Sequence, residues 1–354
     1  MEMNPLENIT IIIFSKNRND FLRETLKYYQ NYQIRTIVLH DCIEPLVDVE
    51  EFTFASYFPS DKSLSERFEV ASKLIKTRYS IFSGDDELFL PSALKGMILL
   101  MEMDPALASC GGQALGLTQY KNRIIGNLAY GNLIDYRNDS PVLTNRVEYH
   151  TNYRGTGLPV GAFYRVMKTE IMVKVLDAIA KLGNISCVYV SEIIPDIYLT
   201  FFGKCIYTNE IFWIRNWINP SVNSGDFKRS FYFYEWWNAL EYLAEKENFI
   251  QLMFISVPSN LDILEFTSLL NQFANGRKIT ELSENSRFVR FNTSYLLRRV
   301  KTKLRLEFDL IRHHGKDEGT LIRERLNNSN VLVNSKELRT ALTTVENYFS
   351  VSLK

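Results

Sequence analysis

The sequence predicts an α/β fold, with a mostly parallel central sheet flanked by helices and a helical C-terminal extension. Three observations carry that expectation. Residues 9–14, ITIIIF, form a continuous apolar and largely β-branched run, the composition of a strand buried on both faces of a parallel sheet. An amphipathic stretch and a second apolar run follow within about 30 residues, the length of a βαβ unit with its right-handed crossover. After Pro220 the strand-like runs give way to ring-rich residues at helical spacing. The boundaries read from this are an α/β domain over 1–220, in halves of about 1–117 and 118–220, and a helical region over 221–354.

Taken in order, Ser15-Lys16-Asn17-Arg18 ends the first run. Asn19 or Asp20 is the expected cap of a helix over 21–32, with Leu22, Thr25, Leu26 and Tyr29 on one side. Residues 35–39 read as the second strand, ending at His40-Asp41, and the aromatic stretch 52–58 as a short strand. Asp61 or Ser63 starts a helix to about Thr77 whose stripe is Leu64, Phe68, Ala71 and Ile75, with Arg67, Lys73 and Lys76 on other faces. Pro91 opens a helix at a favoured first-turn position. Residues 107–117 read as a strand, and Gly111-Gly112 within it signals a close backbone approach. Residues 126–141 read as a loop-rich insertion. Residues 169–182 form a helix capped by Thr169 and closed by Gly183, and 188–190 a short strand. Residues 201–217 are aromatic and strand-like. Helices are expected over 226–254, 261–273, 287–312 and 335–353.

Composition narrows the class. The chain has 354 residues and an apolar fraction of 46%, enough for a full core. Acidic and basic residues balance at 41 each, so no excess charge points to nucleic acid. Cys42, Cys110, Cys187 and Cys205 are widely spaced and form no CxxC, which reads as reduced, buried thiols. The sequence has no uninterrupted apolar run of about 18 residues and no basic-then-apolar leader in MEMNPLENIT. The expectation is a cytoplasmic protein.

The chemistry concentrates at residues 79–89, YSIFSGDDELF. The apolar run YSIF has strand composition, and Ser83-Gly84 marks where it stops. Asp85-Asp86-Glu87 follow at once. Three adjacent carboxylates repel one another, so positive charge is expected beside them. Mg2+ or Mn2+ would supply it, since such ions take one or two protein carboxylates and complete their shell with water and phosphate oxygens. Residues i and i+2 of an extended segment share a face, which makes Asp85 and Glu87 the expected pair. A solvated acidic turn is the alternative. Ligands of open α/β sheets bind beyond the carboxyl ends of the strands. If the three strands share a sheet, residues 14–18, His40-Asp41 and the triplet line one rim.

ITIIIFSKNRNDFLRETLKYY resembles the opening of the family 2 glycosyltransferases: an apolar strand, a polar Asn-Arg turn, then a helix. The triplet some 70 residues on resembles that superfamily's DXD element in a D-D-E form, and the combination is similar to a bacterial glycosyltransferase group with a D-D-D-like triplet before a Phe. The likeness covers roughly residues 9–218. It implies a GT-A fold, a nucleotide-sugar donor bound by about 1–117, an acceptor half over 118–220 and a divalent metal. It also implies transfer to a glycan or lipid-linked glycan in bacterial surface polysaccharide synthesis. By the same resemblance Phe14, Ser15 and Arg18 line the nucleotide pocket, Asp41 faces the base, Asp85 approaches the ribose and metal, Asp86 joins the nucleotide-sugar site, and Glu87 ligates the metal. Two departures stand out: His40-Asp41-Cys42 replaces the usual acidic-then-small ending, and Glu replaces the last Asp of the triplet.

The acceptor side holds further candidates. His150 is the one residue of its stretch suited to be an extra metal ligand, with a surface histidine as the alternative. Arg154 and Arg215 suit a diphosphate or an ordinary ion pair. An inverting transfer needs a carboxylate to take the acceptor proton. The resemblance places it at a helix start, where Glu192 is the first candidate and Asp196, four residues on, the second; acids stabilising a helix N-terminus are the alternative. Pro195 fits a helix only in its first turn. Trp213 and Trp217 suit either core or sugar stacking. The basic amphipathic stretch 287–312 suits packing on the domain or contact with an anionic inner membrane face. Other readings of the whole are a nucleotidyl or sugar-phosphate transferase, against which the glycine-free turn 14–18 counts, and a non-catalytic carbohydrate-binding module.

Overall fold

β1 (Ile9–Lys16) lies inside the sheet with neighbours on both sides, as its apolar run demands. Ile9, Ile11 and Ile13 enter the core on one face and Ile12 the core on the other. The computed structural model describes residues 4–42, 44–120, 123–130, 133, 139–152, 162–183, 185–187, 189–216, 233–258, 260–275, 318–327 and 329–352.

α1 (Asn19–Gln30) connects β1 to β2 (Thr36–Asp41), and the two strands pair in parallel with Lys16 opposite Asp41. β3 (Ala55–Pro59) pairs in parallel with the far side of β2, and β4 (Tyr79–Ser83) with the near side of β1. Between them α2 (Leu64–Leu74) starts from a full capping box, Ser63 with Glu66. After the acidic turn come β5 (Leu88–Phe89), α3 (Pro91–Met103), β6 (Leu107–Tyr120), β7 (Arg123–Leu128) and α4 (Leu143–Asn152). β8 (Val166–Lys168), α5 (Thr169–Leu182), α6 (Tyr189–Phe202) and β9 (Lys204–Asn216) complete the sheet, in the order β3-β2-β1-β4-β8-β6-β9-β5 with β7 on β6. β3-β2-β1-β4 and the β6-β9 pair are parallel; β8, β7 and β5 join in antiparallel fashion. The α/β architecture is the one expected from the sequence.

β6 and β9 approach closely where the sequence has glycines. A Cβ at Gly112 would lie 2.7 Å from the Glu210 carbonyl oxygen and 2.7 Å from the Met97 methyl, distances no side chain tolerates.

Several local expectations are corrected. Arg18, not Asn19 or Asp20, is the N-cap residue of α1, and no side chain caps it; Asn19 instead donates to the Glu44 carbonyl oxygen. Lys168 rather than Thr169 precedes α5. Gly126 belongs to β7, not to a loop. Val190 lies in α6, so no strand occupies 189–190, and Pro195 falls inside the helix rather than in its first turn. The missing Pro195 N–H is tolerated because nearly the whole of α6 from Ile193 to Phe201 is buried, and burial outweighs one lost backbone bond. The stretch expected as one helix over 226–254 is broken into α7 (Phe233–Asn238), a 3-10 turn Leu240–Tyr242 and α8 (Leu243–Ser256). The basic stretch 287–312 lies outside the described residues. Among them, no helix is long and apolar enough to cross a membrane.

The remaining helices are α9 (263–275), α10 (Glu318–Asn327) and α11 (Ser335–Ser352). Among the described residues, the helices after 220 pack on both faces of the sheet. Residues of α7, α8 and α9 share the core of α2, α5 and α6 on one face. Ile322, Leu326, Leu338, Leu342, Val345 and Tyr348 of α10 and α11 share the core of α1 and α3 on the other. Glu337 fixes the register of α11 by accepting from Ser92 N (3.0 Å) and Ser92 Oγ (2.7 Å) at the start of α3, where its charge also meets the positive helix end. The Leu332 amide and carbonyl bond to Asn209 and Ile211 of β9.

Because α11 completes the core beneath α1, Leu342→Ala is expected to cost about 2–5 kcal/mol and to lower the urea midpoint of the β1–β4 core itself. Separate melting of the C-terminal helices, with the rest unmoved, would overturn this assignment.

Candidate functional site

The carboxyl ends of β1, β2 and β4 open onto a cavity of about 720 Å³ whose lining includes Phe14, Ser15, Lys16, Arg18, Asp41, the turn 84–87, Arg67, Tyr164, Arg215 and Asn216. The three stretches the sequence placed on one rim therefore meet there.

The backbone after β1 makes the meeting possible. Asn17 has φ 50°, the left-handed region that Asn tolerates better than most residues, and its N–H donates to the Asp41 carbonyl oxygen at 2.9 Å. The chain then turns so that Arg18 faces the triplet. Its guanidinium forks, with Nη1 2.8 Å from Asp85 Oδ1 and Nη2 2.6 Å from Asp86 Oδ2. Ser15 Oγ donates to the other Asp85 oxygen at 2.7 Å. Asp85 and Glu87 are both buried. The triplet lies in the turn between β4 and β5 rather than in an extended strand, and both Asp85 and Glu87 line the cavity.

Burial is the largest influence on both acids. It pushes Asp85 to about 7 against the opposing pull of Arg18 and Ser15. It pushes Glu87 to about 8, with Arg215 opposing it weakly; Arg215 Nε stands 3.6 Å from Glu87 Oε1. Arg18 is held charged by Asp85 and Asp86, which outweigh the cost of its own burial. Part of the positive charge demanded by the triplet is thus supplied by two arginines.

A divalent cation fits the remainder. Both Asp85 oxygens are engaged by protein donors, whereas Glu87 Oε2 is buried with no hydrogen-bond partner. Among the described residues no three His, Cys, Asp or Glu side chains form a metal-holding group. The protein would therefore contribute only part of a coordination shell, as is usual where phosphate oxygens supply the rest.

Aromatic rings build other parts of the wall. Phe14 stacks against Phe82 (centroids 5.0 Å), contacts Phe68 (4.7 Å) and lines the cavity. Arg67 is buried, its guanidinium 5.8 Å over Phe14 and 3.4 Å from Asp41; Lys16 approaches Asp41 at 3.5 Å. Tyr164 lies flat on Trp213, with centroids 4.3 Å apart. Trp213 is fully buried in this stack, which makes it core rather than a sugar platform. Arg215 rides over Trp213 and Tyr130 at 5.3 and 5.6 Å.

The acceptor-side candidates separate. Glu192 is exposed in the first turn of α6. Burial raises the Tyr164 hydroxyl well above its usual range, and the charges of Glu87 and Glu192, then Asp86 and Asp85, add to this. Tyr164 therefore stands within electrostatic reach of both the triplet and Glu192. Asp196 is buried, 3.9 Å from the buried Arg165, and neither it nor Glu192 lines the cavity wall. His150 lies near the end of α4, and its side chain is outside the described residues, as are Arg154 and Trp217. Sequence reasoning missed Arg67, which it put on an outward face, and Tyr164. No periodicity marks either, since a lone Arg on α2 and a Tyr in the turn Ala162–Tyr164 acquire their roles only from packing.

No family model matches the sequence, and no curated protein does. Among solved structures, S. aureus TarS 1–349 in complex with UDP-GlcNAc superposes with a TM-score of 0.50 at 11% identity, over 97% of this chain and 92% of that one. S. aureus TarS superposes with the same score at 12% identity, over 96% of this chain and 54% of that longer one. The chain thus has the fold of TarS, a glycosyltransferase.

An acid whose pKa is raised by folding binds its proton more tightly in the native state, so its stabilising contribution is present below the unfolded value and lost as pH rises to the folded one. For Glu87 that window runs from its ordinary 4.5 to about 8. In ligand-free protein Glu87→Gln should melt close to wild type at pH 5 and above it at pH 8–9. A gap that does not widen with pH in thermal melts would contradict the burial argument.

Proposed function

We propose that the protein is a metal-dependent glycosyltransferase that moves a sugar from a nucleotide-sugar donor to a hydroxyl of a glycan or glycolipid acceptor, with inversion. The observation that carries this reading is the convergence of Ser15, Arg18, Asp41 and the Asp85–Glu87 turn on one cavity at the carboxyl edge of β1, β2 and β4. The fold shared with a structure solved with UDP-GlcNAc supports it.

In this reading the base lies against Phe14 and pairs with Asp41, which Arg67 and Lys16 hold in place. Arg18 and Arg215 lie where a diphosphate would replace carboxylates as their partner, and a guanidinium fork matches phosphate oxygens well. Mn2+ or Mg2+ held by Glu87 with Asp86 or Asp85 would neutralise charge on the departing nucleotide. Glu192 takes the acceptor proton. It is exposed, and its charge acts on Tyr164 at the cavity wall. Asp196 fits an anchoring role through Arg165 better than a base. His150 remains a candidate further ligand.

UDP, GDP or CMP with Mn2+ should raise the melting temperature, by the linkage between binding and stability, and each nucleotide alone should raise it less. If none does so with or without metal, the proposal fails. Glu192→Gln should keep nucleotide binding and lose transfer by about 10²–10⁴-fold; undiminished transfer would remove Glu192 from the role of base.

A further inference from the structure

The last turns of α11 reach the underside of the acidic turn. Tyr348 is fully buried, and its hydroxyl lies 2.5 Å from Thr25 Oγ1. Thr25 Oγ1 in turn lies 2.6 Å from the Asp85 carbonyl oxygen, to which it donates. A threonine hydroxyl has one proton, so the phenol must be the donor in the Tyr348–Thr25 bond. Burial keeps the phenol protonated by raising it well above its usual value. The ring of the same residue meets Phe21 with centroids 5.5 Å apart. Phe21 carries the Arg18 guanidinium 4.4 Å over its face, and Arg18 grips Asp85.

These contacts close a circuit. One arm runs from the Tyr348 hydroxyl through Thr25 to the backbone of the turn. The other runs from the Tyr348 ring through Phe21 to Arg18. They meet at the Arg18–Asp85 ion pair. α11 is anchored independently of the phenol, by Glu337 on Ser92 and by Asn347 Nδ2 donating to Glu24 at 2.8 Å. The hydroxyl is thus not what holds the helix in place.

We infer that Tyr348 is a positioning residue for the candidate site, setting both the height of the acidic turn and the aim of Arg18. A residue some 260 positions from the triplet is then part of the donor site, and α11 is part of the machinery rather than an appendage. For its ligand-binding consequence the inference rests on the function proposed above; for the turn itself it does not.

The test uses the full chain with Tyr348→Phe, which keeps the ring and removes the hydroxyl, Thr25→Val, the double variant, and Thr25→Ser as the conservative rescue. Amide hydrogen exchange over residues 84–88 and binding of UDP with Mn2+ by calorimetry are the two readouts. A lost hydrogen bond of ordinary strength corresponds to about 3–10-fold. Tyr348→Phe and Thr25→Val should each speed exchange in the turn and weaken UDP–Mn2+ binding by about that factor, with β-sheet exchange unchanged. The double variant should be no worse than Thr25→Val, and Thr25→Ser should behave as wild type. In turnover the effect should fall on the donor KM and spare kcat. Unchanged exchange in the turn, additive effects in the double variant, or faster exchange with unaltered affinity would each overturn the inference. Should wild type bind no UDP with Mn2+ at all, the proposed function loses its support, and the exchange measurement alone decides the role of Tyr348.

Discussion

Three consecutive carboxylates at the end of a buried strand set the terms for the rest of the molecule. Asp85 and Glu87 are almost wholly removed from water, and an unpaired buried charge is costly enough that a protein neutralises it or surrounds it with donors. Both responses are visible. Arg18 forks across Asp85 and Asp86, Ser15 donates to Asp85, and Arg215 approaches Glu87, while burial shifts the two inner acids toward neutrality. In the function proposed above, a ligand that brings negative phosphate together with a positive metal would relieve this tension, giving the arginines oxygens and the carboxylates a cation.

The same constraint explains why so many elements converge on one short turn. β1 delivers Ser15, and the left-handed Asn17 swings Arg18 round. α1 places Phe21 beneath Arg18 and Thr25 beneath the Asp85 carbonyl group. β9 brings Arg215, and α11 closes the floor with Tyr348. No single element could satisfy the triplet, because the donors must come from different directions. A side chain moved out of place at any of these positions leaves a buried charge less well compensated, so the turn is sensitive to packing well away from the cavity.

The aromatic part of the wall is built differently. Phe14, Phe68, Phe82 and Phe163 pack together, and Tyr164 stacks on Trp213. Of these rings Phe14 and Tyr164 line the cavity, and the others hold them in place. Arg67 joins this part to the charged one, with its guanidinium over Phe14 and its charge on Asp41.

From the sequence alone one could read the parallel strands, because a continuous β-branched run has no other comfortable home than the inside of a sheet. The rim could be read too, since Ser15, Arg18, Asp41 and Asp85–Glu87 all sit where such strands stop. The helix end at Gly183 was equally legible, and the start of α2 was narrowed to Asp61 or Ser63. Tertiary packing decided what local pattern cannot encode. It bent the triplet into a turn and buried Arg67. It drew Pro195 into a helix interior. It sent α7–α9 and α10–α11 to opposite faces of the sheet, bringing Tyr348 under Asp85. The physical reason is the same throughout: spacing along a chain reports which face a residue belongs to, whereas the partner waiting on that face is supplied by segments hundreds of residues away.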